Sequence, residues 1–161
     1  MKKLILIRHA KSSWEASLSD FDRPLTSRGI SDAKMISKQL VRLLPKTYTC
    51  FSSTARRAAE TAAIFTKELN SPFDRINFDN ALYTFEETQL ANFIKELDNT
   101  LENVILFGHN DAITNFVNKF GSTYIDQVPT SGVVALAFEV HSWQQISKGM
   151  TQNFIFPSEF R

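Results

Sequence analysis

Three short apolar runs, each stopped abruptly by charge or by a polar turn, constrain this chain more than any other feature. Lys3–Ile7 ends at Arg8-His9, Tyr48–Phe51 at Ser52-Ser53-Thr54, and Asn103–Phe107 at Gly108-His109. Continuous runs of that length predict strands buried on both faces, the habit of a parallel sheet. Between them the apolar spacing turns helical. Ile30, Ala33, Ile36, Leu40 and Leu44 follow Pro24 and the candidate N-caps Thr26 and Ser27, and stop before Pro45. Ala58, Ala62, Phe65 and Leu69 form a second helical face. Thr84-Phe85-Glu86-Glu87 has capping-box spacing ahead of Leu90, Phe93, Ile94 and Leu97. Ile113, Phe116, Val117 and Phe120 make a fourth face, closed by Gly121. Gly132–Val140 reads as a longer strand, and Asn153–Phe156 as an edge strand stopped by Pro157. Strands alternate with helices, without an internal repeat or low-complexity linker. The expectation is an α/β fold: a three-layer α/β/α sandwich around a largely parallel sheet, formed by residues 1–161 as one domain.

Charge and composition narrow the function classes. The formal net charge of +1 argues against a nucleic-acid coat or an acidic disordered tail. It conceals a segregation, because residues 1–60 hold twelve Lys/Arg against five Asp/Glu, and the remainder six against twelve. With five glycines, neither a dinucleotide fingerprint nor a Walker loop can be assembled. Phosphate, if handled, must be held by side chains. The single cysteine excludes an internal disulfide framework and a Cys-rich zinc site, and suits a reducing cytosol. Four apolar residues after Met1-Lys2-Lys3 are too few for a signal peptide, and no run is long enough to span a bilayer. A soluble, cytoplasmic protein is expected.

Ligands of open α/β sheets bind at the carboxyl ends of the strands. Those ends here carry Arg8-His9, then hydroxyls followed by Arg56-Arg57, then His109. Histidine with arginine suits phosphoryl transfer to nitrogen. A neutral imidazole attacks phosphorus when its other ring nitrogen is held by a hydrogen bond. Guanidinium groups grip the equatorial oxygens in place of a metal ion or glycine cradle. Arg8-His9 alone is a weak signal, a histidine after a strand is commonly structural, and paired arginines commonly form a solvated helix face. Their coincidence at consecutive strand ends is what carries the functional reading.

These residues also resemble a family. Leu4 to Arg8-His9-Ala10-Lys11-Ser12 is similar to the nucleophile motif of the histidine phosphatase superfamily, which includes the phosphoglycerate mutases. The likeness is strongest to its small SixA-type phosphohistidine phosphatases. Asp22-Arg23-Pro24-Leu25-Thr26 with Gly29 resembles that group's second motif, and Ser53 to Ala62 the S-x-x-x-R-A-x-x-T-A stretch. Phe107-Gly108-His109-Asn110 resembles the second-histidine motif, and Thr130-Ser131-Gly132 a later landmark. The resemblance implies a phosphoglycerate mutase-like fold and His9 as the nucleophile that forms a phosphohistidine. It implies Arg8 and Arg57, rather than Arg56, on the phosphoryl group, with His109 as the second pocket histidine. Arg23 and Ser12 are expected on the substrate. No metal or organic cofactor is implied, and His141 matches no motif. Ala10 stands where most of the superfamily has glycine, as is common in the SixA-like group. Larger members supply a general acid from a segment that falls near Thr84–Glu87. Glu87 has a capping-box explanation, which leaves Glu86 as the candidate acid.

The expected activity is a metal-independent phosphohistidine phosphatase acting on a signalling or phosphotransfer protein. Exchange of a phosphoryl group between two imidazoles demands less of an acid than expulsion of an alkoxide. The alternatives are a phosphomonoesterase for small metabolites and a non-catalytic phospho-binding module. A mutase would need a more enclosed site. Cys50 and Arg56 have the C-x₅-R spacing of cysteine-dependent phosphatases, but such loops aim their amides at one phosphate using glycine, which Phe51–Ala55 lacks. A nucleic-acid partner is not expected, since the lysines are scattered without interleaved aromatics.

Overall fold

Lys2–Arg8 (β1) lies near the middle of a six-stranded sheet in the computed structural model, which describes residues 1–15, 17–70 and 75–161. The other strands are Thr49–Ser52 (β2), Asn77–Phe78 (β3), Asn103–Gly108 (β4), Val133–Phe138 (β5) and Met150–Ile155 (β6), in the order β3-β2-β4-β1-β5-β6. β1, β4, β2 and β3 pair in parallel, whereas β5 is antiparallel to both its neighbours, β1 and β6. The sheet is therefore mixed, with β5 alone running against the rest among the described residues.

Alternation along the strands builds two cores. Leu4 and Leu6 of β1 point to one face, where they pack with Leu90 and Ile94 of Glu87–Lys95 (α3) and with Phe116 and Val117 of Ala112–Phe120 (α4). Ile5 and Ile7 point to the other. There they meet Ala33, Ile36 and Leu40 of Ser27–Leu40 (α1) and Ala62 and Phe65 of Arg56–Glu68 (α2). The three layers of the expected sandwich follow directly.

Several boundaries differ from the sequence reading. Thr26 caps α1, its hydroxyl accepting from the Gly29 amide (3.0 Å), but the helix stops at Leu40 and leaves Leu44 outside. The capping box at Thr84 does not form. Thr84 Oγ1 instead accepts from the Glu86 amide (3.2 Å) and contacts Gln89, while Glu87 pairs with Lys119 of α4 (3.2 Å). A tertiary partner on the neighbouring helix has outcompeted the local cap. His141, which matches no motif, is exposed beyond β5.

Gly29 has a specific reason to be glycine. A Cβ there would collide with the Lys11 carbonyl, which also accepts from the Thr26 amide (2.9 Å). The first turn of α1 thus presses against the loop that leaves β1. Gly29→Ala is expected to cost about 1–3 kcal/mol by overpacking, read as a lowered urea midpoint. An unchanged midpoint would show that this contact is loose.

Candidate active site

Strand register places the chemistry. Arg8 of β1 pairs with Gly108 of β4, so the next residues, His9 and His109, leave the sheet side by side with ring centroids 5.3 Å apart. The His9 amide donates to the Gly108 carbonyl (3.1 Å), and the Ser53 amide, just beyond β2, to the Phe107 carbonyl (3.0 Å). Ser131 closes the fourth side, its amide shared between the Arg8 and His9 carbonyls (3.1 and 3.2 Å). That double contact holds Ser131 in the left-handed region at φ 61°.

His9 has one tautomer. Nδ1 lies 2.7 Å from the Ala10 carbonyl, which only an N–H can satisfy, so Nε2 keeps its lone pair. Burial pushes the His9 pKa down to about 3, against the Ala10 contact and assisted by Arg57, Arg8 and Arg23. The imidazole is therefore neutral at physiological pH. Thr61 ties it to α2, accepting from the Ala10 amide (2.9 Å) while donating to the Arg57 carbonyl (2.7 Å). His109 is held through Nε2, 2.7 Å from Ser53 Oγ. That hydroxyl also accepts from the Ala55 amide (3.2 Å), so Ser53 fixes the orientation of the His109 ring and leaves Nδ1 buried and turned away from it. Burial, with the neighbouring His9 and Arg57, holds His109 below its ordinary pKa as well.

The guanidinium groups converge from three segments. Arg57, in the first turn of α2, donates from Nε to His9 Nε2 (3.3 Å), from Nη1 to the Asp20 carbonyl (2.7 Å) and from Nη2 to Asp20 Oδ2 (3.1 Å). Arg56 pairs instead with Glu60 on the exposed face (3.1 Å). Arg23 reaches Asp20 Oδ1 (3.3 Å), with the Trp14 ring stacked 3.6 Å from its guanidinium carbon. Arg8 donates to the Val128 carbonyl (2.9 Å). Arg8, His9, Ser12, Arg23 and Arg57 line one cleft of about 440 Å³, and His109 packs against His9 alongside it. Glu86 is not among the lining residues; it is exposed at the start of α3.

Asp20, which lines the cleft, and Tyr83, which braces it from beside, escaped the sequence reading. Asp20 meets Arg57 and Arg23, and the Tyr83 hydroxyl donates to its Oδ2. Partial burial works against the Asp20 charge, but Tyr83 and the two guanidiniums outweigh it and hold the carboxyl below the ordinary carboxylate range. The one local signal was an acid three residues before Arg23. Tyr83, whose ring also packs edge-on against His109 at 5.4 Å, had none.

The cleft is built for a polar ligand. Arg8 Nε, Arg23 Nε, His109 Nδ1 and Ser131 Oγ are buried without hydrogen-bond partners among the described residues, a costly state unless something else occupies them. Three arginines against one carboxylate select an anion. No cluster of three or more His, Cys, Asp or Glu suited to a metal exists among the described residues. Cys50 is buried, and burial pushes its thiol up to about 11, so it is not a ready nucleophile. No helix of the described residues is long and apolar enough to cross a membrane.

The two histidines make stability depend on pH. Unfolded, they titrate near 6.5; folded, they refuse the proton, so the unfolded state binds more protons as pH falls below about 6.5. Folded stability should fall from there towards pH 3, by up to about 1.4 kcal/mol per histidine between pH 7.5 and 5.5. Urea midpoints at those two pH values check this. A flat profile would show that the folded site accepts protons.

Comparison with known proteins adds independent findings. Residues 4–82 match the family model described as "Histidine phosphatase superfamily (branch 1)". Rv1276c of Mycobacterium tuberculosis is 26% identical over 153 residues, covering 89% of this chain and 93% of that one. Among solved structures, the protein histidine phosphatase SixA complexed with tungstate superposes with a TM-score of 0.83 at 17% identity, covering 99% of each chain. The mycobacterial glucosyl-3-phosphoglycerate phosphatase Rv2419c with VO3 gives 0.74 at 12%, covering 97% of this chain and 100% of that one. At such identities the superpositions establish the shared fold.

Proposed function

We propose that this phosphatase, a chain that belongs to the histidine phosphatase superfamily, removes the phosphoryl group from phosphohistidine on a signalling or phosphotransfer protein. His9 Nε2 attacks phosphorus as its lone pair permits, while Arg8, Arg23 and Arg57 hold the equatorial oxygens and His109 donates from Nδ1. Water then attacks the phosphoryl group on His9 and releases inorganic phosphate. The catalysis uses no metal in this reading, and the protein acts in the cytoplasm.

One observation favours phosphohistidine over a small phosphomonoester. Asp20 is the one carboxylate lining the cleft among the described residues, and its neighbours keep it ionised. An alkoxide leaving group needs a proton from a neutral acid, which an ionised carboxylate lacks; an imidazole makes less demand. The SixA superposition agrees with this reading, and that to glucosyl-3-phosphoglycerate phosphatase keeps a sugar-phosphate substrate as the second one. The test is turnover of a phosphorylated histidine-phosphotransfer protein against a panel of small phosphoesters. Clearance of the protein phosphohistidine well above its spontaneous decay, with slow turnover of the esters, is the expected result. Ester turnover without any such clearance would favour the metabolite reading.

A further inference from the structure

Asp20 sits at a different depth from the groups proposed to take the phosphoryl group. Arg57 is 1% exposed and His9 7%, whereas the Asp20 side chain is 45% exposed, in a cleft it lines together with Phe85 at 49% and Trp14 at 81%. In-line displacement puts the leaving group opposite the nucleophile. With His9 on the floor, the leaving group faces this rim. A carboxylate offers about four lone-pair positions. Oδ2 accepts from Arg57 and Tyr83, and Oδ1 from Arg23, so one position on Oδ1 of this half-exposed side chain stays open.

We propose that Asp20 is the specificity residue for a cationic ring leaving group, its Oδ1 accepting the N–H of the far nitrogen of the substrate's phosphoimidazole while Phe85 and Trp14 flank the ring. This rests on the phosphohistidine reading above. The step balances without an added acid. The lone pair of His9 Nε2 forms the new N–P bond, and the substrate's N–P bond breaks with its electron pair staying on the ring nitrogen. The proton on the far nitrogen remains there, so the ring departs as neutral imidazole instead of the far more basic imidazolide. An ionised carboxylate favours the protonated ring that makes this exit possible. The surrounding Arg57, Arg23 and Tyr83 keep Asp20 in that state. The same charge repels a leaving group that departs as an anion. Asp20 thus turns a site rich in arginine, which would bind any phosphoryl dianion, into one that reads the ring behind it.

The experiment compares kcat/KM on a synthetic phosphohistidine peptide with kcat/KM on p-nitrophenyl phosphate, whose phenolate leaves as an anion. Asp20→Asn preserves an oxygen able to accept from Arg57 and Tyr83 but removes the charge. The ratio of the two constants should fall roughly 30-fold, the worth of a charge-assisted hydrogen bond. Asp20→Glu, which restores the charge, should return the ratio to within a few-fold of wild type. Because both substrates are assayed on one preparation, any inactive fraction cancels from the ratio. An unchanged ratio in Asp20→Asn overturns the proposal and leaves Asp20 as an arginine clamp. A wild-type protein that hydrolyses the phenyl ester but not the peptide overturns the phosphohistidine reading itself, and this inference with it.

Discussion

His9→Ala should reduce turnover by four orders of magnitude or more, roughly what loss of a covalent nucleophile costs elsewhere. The reasoning rests on the state of the ring. Nδ1 is committed to the Ala10 carbonyl and burial keeps the imidazole neutral, so Nε2 is an unprotonated nitrogen already aimed at the arginines. Nothing else in the cleft offers an equivalent among the described residues. His109 is engaged through Nε2 with Ser53, and Cys50 is buried with its thiol pushed up to about 11. Wild-type protein quenched during turnover should carry an acid-labile, base-stable phosphoryl group, and the variant none. The arginines remain in the variant, so inorganic phosphate should still bind. Retained turnover in His9→Ala, or a phosphoenzyme that survives acid, would move the nucleophile to another residue.

Arg57→Ala should lower kcat/KM by about 10²–10³, the loss typical of one buried donor aimed at transition-state charge. Its guanidinium is the hinge of the cleft, one edge against His9 Nε2 and the other against Asp20. Of its N–H groups, three are used in the resting site, which leaves the others for phosphoryl oxygens. Arg57→Lys should recover little. It keeps the charge, but a point ammonium cannot span His9 and Asp20 together. The inhibition constant for inorganic phosphate should rise in both variants, and thermal midpoints will separate this from unfolding. Near-normal kcat/KM in Arg57→Lys would mean that charge alone suffices.

What the sequence disclosed, and what it withheld, divides along physical lines. The runs at Lys3–Ile7 and Asn103–Phe107 marked the central strands because burial on both faces leaves no polar alternation. By the same logic the antiparallel course of β5 was illegible: Val133–Phe138 is equally apolar, and strand direction leaves no trace in such a run. His9, His109 and Arg57 were legible because each stands at a strand or helix end with a motif around it. Asp20 was not, since its partners Arg57 and Tyr83 lie 37 and 63 residues away. The Thr84–Glu87 capping box misled for a related reason, with Lys119 of a neighbouring helix taking the Glu87 carboxylate.

The ladder that pairs Arg8 with Gly108 has a further consequence. It makes the sheet a measuring device for the reaction, because the backbone positions from which the two imidazoles project are set in whole steps, and the contacts with Ala10 and Ser53 then fix each ring. Its graduations are about 3.3 Å, and a slip of one step would also send one ring to the opposite face of the sheet. Damage to either apolar layer should therefore reduce how many molecules fold while leaving each folded one catalysing at its usual pace.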